Sequence, residues 1–191
     1  MAKRSNKRER LIEAARKLFY QQGFGQTTIA QIASLASVPL GNVYYYFKTK
    51  DEICETVIDA DLKEAQALIK ILRALGTHKE RLQAMLDYFS ERAEDISHYG
   101  NIFSGLAQEL SKQRNPLAEQ AKIIVSHMLA FVEEQLEPFF SNKAEVQKRA
   151  LQFFAGLQGI QFLTTAYQDP NITVQQVKVL GEWLSELKTA A

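Results

Sequence analysis

The stretch Thr27-Thr28-Ile29-Ala30-Gln31-Ile32-Ala33-Ser34-Leu35-Ala36-Ser37-Val38-Pro39-Leu40-Gly41-Asn42-Val43-Tyr44-Tyr45-Tyr46-Phe47 decides how this chain is read. Thr27 or Thr28 is suited to cap a short helix carrying Ile29, Ile32, Ala33 and Leu35, because a threonine hydroxyl satisfies amides that a helix start leaves unpaired. A tight break at Ser37 and Val38 follows. Pro39 suits the first turn of the next helix, where its missing N–H is not needed, and that helix is expected to reach about Phe47. Two short helices joined by a turn of three or four residues form a helix-turn-helix. At about 100° per residue, Leu40, Val43, Tyr44 and Phe47 fall on one side of the second helix, and Gly41, Asn42, Tyr45 and Tyr46 on the other. The first side is expected to pack on Leu18, Ile29 and Ile32. The second offers an amide, phenols and a glycine instead of the Lys, Glu and Gln of a merely solvated surface.

DNA meets the requirements of such a face. An asparagine amide pairs with an adenine edge in the major groove, and phenol hydroxyls and lysines bond phosphates. Thr28 adds a phosphate contact through its hydroxyl or the neighbouring helix-start amides. Lys48 and Lys50 follow the second helix, where contacts to the nucleic-acid backbone are expected. Taken singly, each tyrosine is also an ordinary half-buried packing residue; three in a row beside Asn42 and two lysines are not.

Charge is distributed to match. Residues 1–50 hold nine basic side chains (Lys3, Arg4, Lys7, Arg8, Arg10, Arg16, Lys17, Lys48, Lys50) against Glu9 and Glu13, a net +7. Residues 51–191 hold fourteen basic and twenty acidic side chains, so the overall +1 hides a basic head on an acidic body. Such asymmetry is the electrostatic footprint of a polyanion-binding end. Cys54 is the only cysteine, which rules out an intrachain disulfide and fits a reducing, cytoplasmic setting. Leu11 to Phe19 is interrupted by Glu13, Arg16 and Lys17, unlike a signal peptide, and no apolar run approaches the roughly 18 residues of a membrane span.

Apolar residues recur at three and four throughout, with only four prolines and nine glycines, so the fold class is all-α, with eight or nine helices in total. The first helix is expected over about Asn6–Gln22, burying Leu11, Ile12, Ala15, Leu18 and Phe19 and stopping at Gly23. A long fourth helix opens at Lys50-Asp51-Glu52, with Ile53, Val57, Ile58, Leu62, Ala65, Leu68, Ile69 and Leu72 as its buried stripe. Further helices are expected over about His78–Ile96, Ile102–Ser111, Pro116 to Phe139 or Phe140, and Lys143–Tyr167. A last one, capped by Thr173 after a break at Asp169-Pro170, reaches about Leu187. The charge shift near residue 50 marks a module boundary, crossed by packing rather than by a free hinge, between an N-terminal helix-turn-helix DNA-binding domain (1–50) and a larger helical domain (51–191).

The run from Gly23-Phe24 through Thr27–Ala33 and Val38-Pro39-Leu40-Gly41-Asn42-Val43-Tyr44-Tyr45-Tyr46-Phe47-Lys48-Thr49-Lys50-Asp51-Glu52 resembles the DNA-binding signature of the TetR family of transcriptional regulators. The resemblance is dense over about residues 8–55; beyond them only helix count and length are shared. It implies a homodimer on a palindromic double-stranded operator, released when a small-molecule effector binds the second domain, which makes residues 51–191 the effector-binding and dimerisation domain. It places Thr28 near a phosphate contact, Leu40, Gly41 and Asn42 against bases, Tyr44, Tyr45 and Tyr46 in the groove or on phosphates, and Lys50 on the DNA backbone. Pro39-Leu40 departs from the commoner Ser-Lys; a phosphate-binding cation is lost there, and Leu40 is free to meet a thymine methyl.

In the second domain, Leu151, Phe154, Leu157, Gln161 and Phe162 are expected to form a dimer face, with Gly156 and Gly159 permitting close approach; the resemblance implies a four-helix bundle of two helices from each subunit. Phe89, Phe103, Leu106, His127, Phe131, Phe153 and Gln158 mix aromatic walls with polar groups, as an effector pocket requires, although aromatics at helical spacing are also ordinary core. The segment Tyr99–Leu110 resembles one in a branch of the family that includes electrophile sensors, which carry a cysteine where Asn101 stands here. Noncovalent sensing is therefore expected. His78, His98 and His127 are far apart, no metal-ligand spacing is present, and no nucleotide or hydrolase fingerprint occurs. No metal, no cofactor and no catalysis are expected. Two other readings keep less of this: an activator or effector-independent DNA binder of the same fold, and a helical small-molecule carrier with a vestigial head.

Overall fold

A computed structural model describes residues 2–101 and 103–189, with side chains from residue 7 onward. The side chains of Lys3 and Arg4, and Ile102, where a helix start is expected, lie outside the described residues. The described residues are all helical and irregular, with ten α-helices and a 3₁₀ turn at Glu137–Phe139. These are α1 (Ala2–Gln22), α2 (Ile29–Leu35), α3 (Leu40–Tyr46), α4 (Lys50–Arg73), α5 (His78–Ser90), α6 (Ala93–Tyr99), α7 (Gly105–Lys112), α8 (Ala118–Leu136), α9 (Lys143–Tyr167) and α10 (Pro170–Glu186). No helix among the described residues is long and apolar enough to cross a membrane.

Local chemistry sets the boundaries. Gly23, at φ +84°, ends α1 in the left-handed region that glycine adopts without strain. Thr28 forms a capping box with Gln31: its hydroxyl accepts the Gln31 amide at 3.2 Å, and Gln31 Oε1 accepts the Thr28 amide at 2.8 Å, worth about 1 kcal/mol. Thr77 and Glu80 repeat the device on α5. Thr49 Oγ1 accepts the Glu52 amide at 3.1 Å, closing the start of α4.

Two expected boundaries are corrected. The helix expected over His78–Ile96 is two helices, which raises the count to ten; Arg92, lying 3.6 Å from the Tyr88 ring and donating to the Tyr88 carbonyl, occupies the break. The last helix begins at Pro170 with Asp169 as its cap, since proline fits a first helical position. Thr173 lies inside that helix, fully buried and bonded to Thr164 at 2.7 Å.

The chain forms two compact units. One comprises Met1–Glu64 with Ile102–Ile124, the other Ala65–Asn101 with Val125–Ala191. In the first, α1 packs on α2, α2 on α3 and α1 on α7. Its core includes Leu11, Ala15, Phe19, Ile32, Val43, Ile53 and Val57. At about 1.5–3 kcal/mol for each large aliphatic or aromatic side chain, these fix the head onto the start of α4. In the second, α10 packs on α5, α6 and α9, and α6 on α9, around Leu82, Met85, Leu86, Phe131, Leu136 and Leu157.

Candidate nucleic-acid interface

The helix-turn-helix is built from α2, a turn through Ser37, and α3. Ser37 takes φ +52°, which reverses the chain within a few residues. Val38 then donates to the Ala33 carbonyl at 2.9 Å. Pro39 is the cap of α3, one position earlier than the first helical turn expected of it. Val43 (0% exposed) and Phe47 (3%) anchor α3 from behind.

The buried stripe of α3 is narrower than a helical wheel predicts. Leu40 and Tyr44, expected to pack inward, are each 45% exposed, and Tyr45 is 62% exposed. Tyr46 is half-buried and meets the Tyr45 ring edge-on, 5.1 Å between centroids. Gly41 and Asn42 are exposed, and a Cβ placed on Gly41 would touch nothing within 4 Å. The outward surface is therefore Leu40, Gly41, Asn42, Tyr44 and Tyr45, uncharged and able to approach base edges closely.

The cations at this end have different employments. Lys48 is exposed, and its ammonium donates only locally, to the Tyr44 carbonyl at 2.6 Å. Lys50 turns inward. Its ammonium donates to the carbonyls of Phe24 (2.7 Å), Thr27 (2.8 Å) and Gly25 (3.4 Å) and lies 4.3 Å from the Phe24 ring centroid. With its donors engaged by the α1–α2 loop, Lys50 acts as a clamp in this structure. Arg8, counted in the sequence only among the basic residues, is exposed and stacks 5.2 Å from the Phe47 ring centroid, flanking the end of α3; its position three residues before the first buried leucine, Leu11, carries no signal by which sequence reasoning finds it.

Behind the interface, α1 is tied to α4 by a part-buried ionic cluster around the buried Asp61. Arg16 Nε pairs with Asp61 at 2.7 Å, Arg16 also meets Glu64, and Tyr20 donates to Asp61 at 2.6 Å. Burial, outweighing the pull of Arg16, raises the Asp61 carboxyl from 3.8 to about 6.

The segment 11–57 matches the family of bacterial regulatory proteins, tetR family. Over 167 residues the chain is 28% identical to a probable HTH-type transcriptional regulator, ArpR, of Pseudomonas putida, covering 80% of this chain and 77% of that protein. A TetR transcriptional regulator from Chloroflexus aurantiacus superposes over the whole of both chains with a TM-score of 0.85 at 18% identity. FadR from Bacillus subtilis, solved with stearoyl-CoA, gives 0.73 at 18% identity over 93% of this chain and 97% of that one. Residues 11–57 are therefore a tetR-family segment, and the chain as a whole has the fold of TetR regulators.

The helices α2 and α3 of the helix-turn-helix lie within the matched segment. The residues expected to bind an effector divide between the two units: Phe103 and Leu106 are buried in the first, while Phe89, Phe131 and Phe153 are buried and His127 and Gln158 half-buried in the second. Phe153 contacts Trp183, 5.9 Å between centroids. Asn101 is buried and donates to Gln161 and, at 3.4 Å, to Gln158. Of the residues expected at a dimer face, Phe154, Leu157 and Gln161 are buried, whereas Leu151 (57%) and Phe162 (67%) are exposed. Cys54 is fully buried, and burial pushes its thiol up to about 12.

Proposed function

We propose that this TetR-family regulator is a cytoplasmic repressor that binds a palindromic operator as a homodimer and leaves it when a small molecule occupies the second domain. The observation that carries the reading is the solvent-facing side of α3, where Leu40, Gly41, Asn42, Tyr44 and Tyr45 stand exposed on a helix locked from behind by Val43 and Phe47. In this reading Asn42 reads a base edge, Leu40 meets a thymine methyl, Tyr44, Tyr45 and Tyr46 contact groove and phosphates, and Lys48 and the cap of α2 at Thr28 hold the backbone. Lys50 serves the interface from within.

An exposed apolar stripe on α9 supports the dimer. Leu151, Ala155, Gly159, Phe162, Leu163 and Tyr167 recur at three and four along 25 residues of helix, and Gly159 leaves open space for close approach. Two recognition helices in one dimer then meet successive major grooves about 34–36 Å apart. A neighbour of the same fold binds stearoyl-CoA, which supports sensing of a small molecule through the apolar second domain, and the buried Cys54 supports noncovalent sensing.

A mobility shift on DNA upstream of the regulator's own gene tests the function. A discrete complex that survives moderate salt is expected, and Asn42→Ala is expected to relax selectivity at one base pair per half-site by about 1–3 kcal/mol. Binding that is indifferent to sequence would sink the proposal.

A further inference from the structure

The loop between α1 and α2 is gripped from α7 as well as from α4. Glu109, near the middle of α7, accepts the Phe24 amide at 2.7 Å and the Gly25 amide at 2.8 Å with its two carboxylate oxygens. Gln113, one turn later, donates to the same carboxylate at 2.9 Å. The loop is shaped for this approach. A Cβ on Gly23 would lie 3.1 Å from both Glu109 oxygens, and one on Gly25 would lie 2.9 Å from Gln113 Nε2 and 3.4 Å from Glu109 Oε1.

The grip leads directly into the helix-turn-helix. Thr27 is buried, its hydroxyl donating to the Gly23 carbonyl at 2.7 Å and its amide to the Phe24 carbonyl at 3.3 Å. The next residue, Thr28, caps α2, and α2 packs on α3. Fixing the Phe24 and Gly25 amides therefore fixes where α2 begins and, through it, how α3 is presented. A carboxylate bonded to two amides makes charge-assisted hydrogen bonds, stronger than neutral ones and specific in direction.

We infer that Glu109 is a positioning residue for DNA binding, through which α7 sets the DNA affinity of the helix-turn-helix. The inference rests on the reading that α3 is the DNA-contacting helix. It carries a sign that simple electrostatics does not. Removing an acidic group from a DNA-binding unit strengthens binding on charge grounds alone; loss of a positioning contact weakens it by releasing a preorganised surface.

The full-length protein, with Glu109→Gln and Glu109→Asp variants, tests this on a labelled duplex selected by the wild-type protein from a random-sequence library. Fluorescence anisotropy is read across a salt series. For Glu109→Gln the dissociation constant is expected to rise about tenfold with an unchanged salt slope, because no phosphate contact is lost. Glu109→Asp keeps the charge but withdraws the carboxylate by one methylene, and a smaller loss is expected. Amide exchange at Phe24 and Gly25 is expected to accelerate while Ile32 and Val43 stay protected, which a general loss of stability does not produce. Gln120→Ala, which removes a 3.0 Å bond to Asp59 away from the loop, is expected to bind as the wild type does. Wild-type or tighter binding by both Glu109 variants overturns the inference. Tyr45→Ala separates the two levels: if it abolishes binding while the Glu109 variants do not weaken it, only the positioning role falls; if it too leaves binding intact, the assignment of α3 falls.

Discussion

Glu109 and Lys50 hold opposite ends of one peptide group. The unit joining Phe24 to Gly25 gives its N–H to Glu109 at 2.8 Å and its carbonyl to Lys50 at 2.7 Å. Its dipole lies between an anion and a cation in the sense both favour, and each bond polarises the other. The loop ahead of the helix-turn-helix is thus a small electrostatic vice.

This arrangement separates two lysines that look equivalent in the sequence. Lys50→Ala is expected to lower stability by about 2 kcal/mol, through loss of hydrogen bonds from a charged donor, and to weaken DNA binding without changing its salt slope. Lys48→Ala is expected to leave the melting temperature nearly unchanged and to reduce the slope of log affinity against log salt by about 1. Denaturant melts together with a salt titration of DNA affinity distinguish the two; a reduced slope for Lys50→Ala would show that the clamp opens on DNA.

The ionic cluster between α1 and α4 makes stability depend on pH. Arg16, Tyr20 and Glu64 face Asp61, whose carboxyl titrates near 6 in the folded chain against 3.8 unfolded. Folding therefore favours the protonated acid. Its contribution is fully present below about pH 4 and is lost as pH rises through about 6, an effect of at most roughly 3 kcal/mol. Unfolding measured between pH 4 and 7 is expected to show this component, and Asp61→Asn is expected to remove it.

Thiol chemistry is expected to be silent. With Cys54 fully buried and its thiol near 12, native protein should not react with an aromatic disulfide reagent on the minutes scale, whereas denatured protein should react at once. Electrophiles are expected to leave DNA affinity unchanged; release of DNA through Cys54 would overturn noncovalent sensing.

The exposed face of α9 is expected to be covered by a second copy. A stable dimer buries about 1,200–2,000 Å² in total, and Leu151 and Phe162 supply the large apolar side chains with no cover in the chain. Phe162→Glu is expected to give a folded monomer by light scattering and to lose cooperative binding to a palindrome. Leu157→Glu is expected to unfold the chain instead, since Leu157 is enclosed in the core.

Much of the head is legible in the sequence because its signals are local. A threonine cap at 27 or 28, the stop at Gly23, and the spacing of Ile32, Val43 and Phe47 each act within a turn or two of helix. The inward assignment of Leu40 and Tyr44 failed because α3 has only seven residues; at such a length the ends of the apolar stripe extend past the core that would cover them. The break between α5 and α6 carries no glycine or proline, only Arg92 folding back over Tyr88. Lys50 and Glu109 were least legible of all. Their partner is backbone, which every residue has, and Glu109 reaches it across 84 residues of sequence. On α9, periodicity locates an apolar helix but not which of its flanks faces inward, so it groups Leu157 with Phe162.

Gly41 faces open space in the middle of an exposed helix surface. The fold places no demand on it: alanine there meets no neighbour and would favour the helix by about 0.8–1.0 kcal/mol. On the proposed reading, the same methyl would stand on the face that α3 turns to the operator. If α3 reads the operator as proposed, helix stability and operator fit pull in opposite directions at this one position, which makes it a dial: a side chain begun at 41 meets no neighbour in the fold, so exchanging it is expected to change what the groove meets without rebuilding the protein around it.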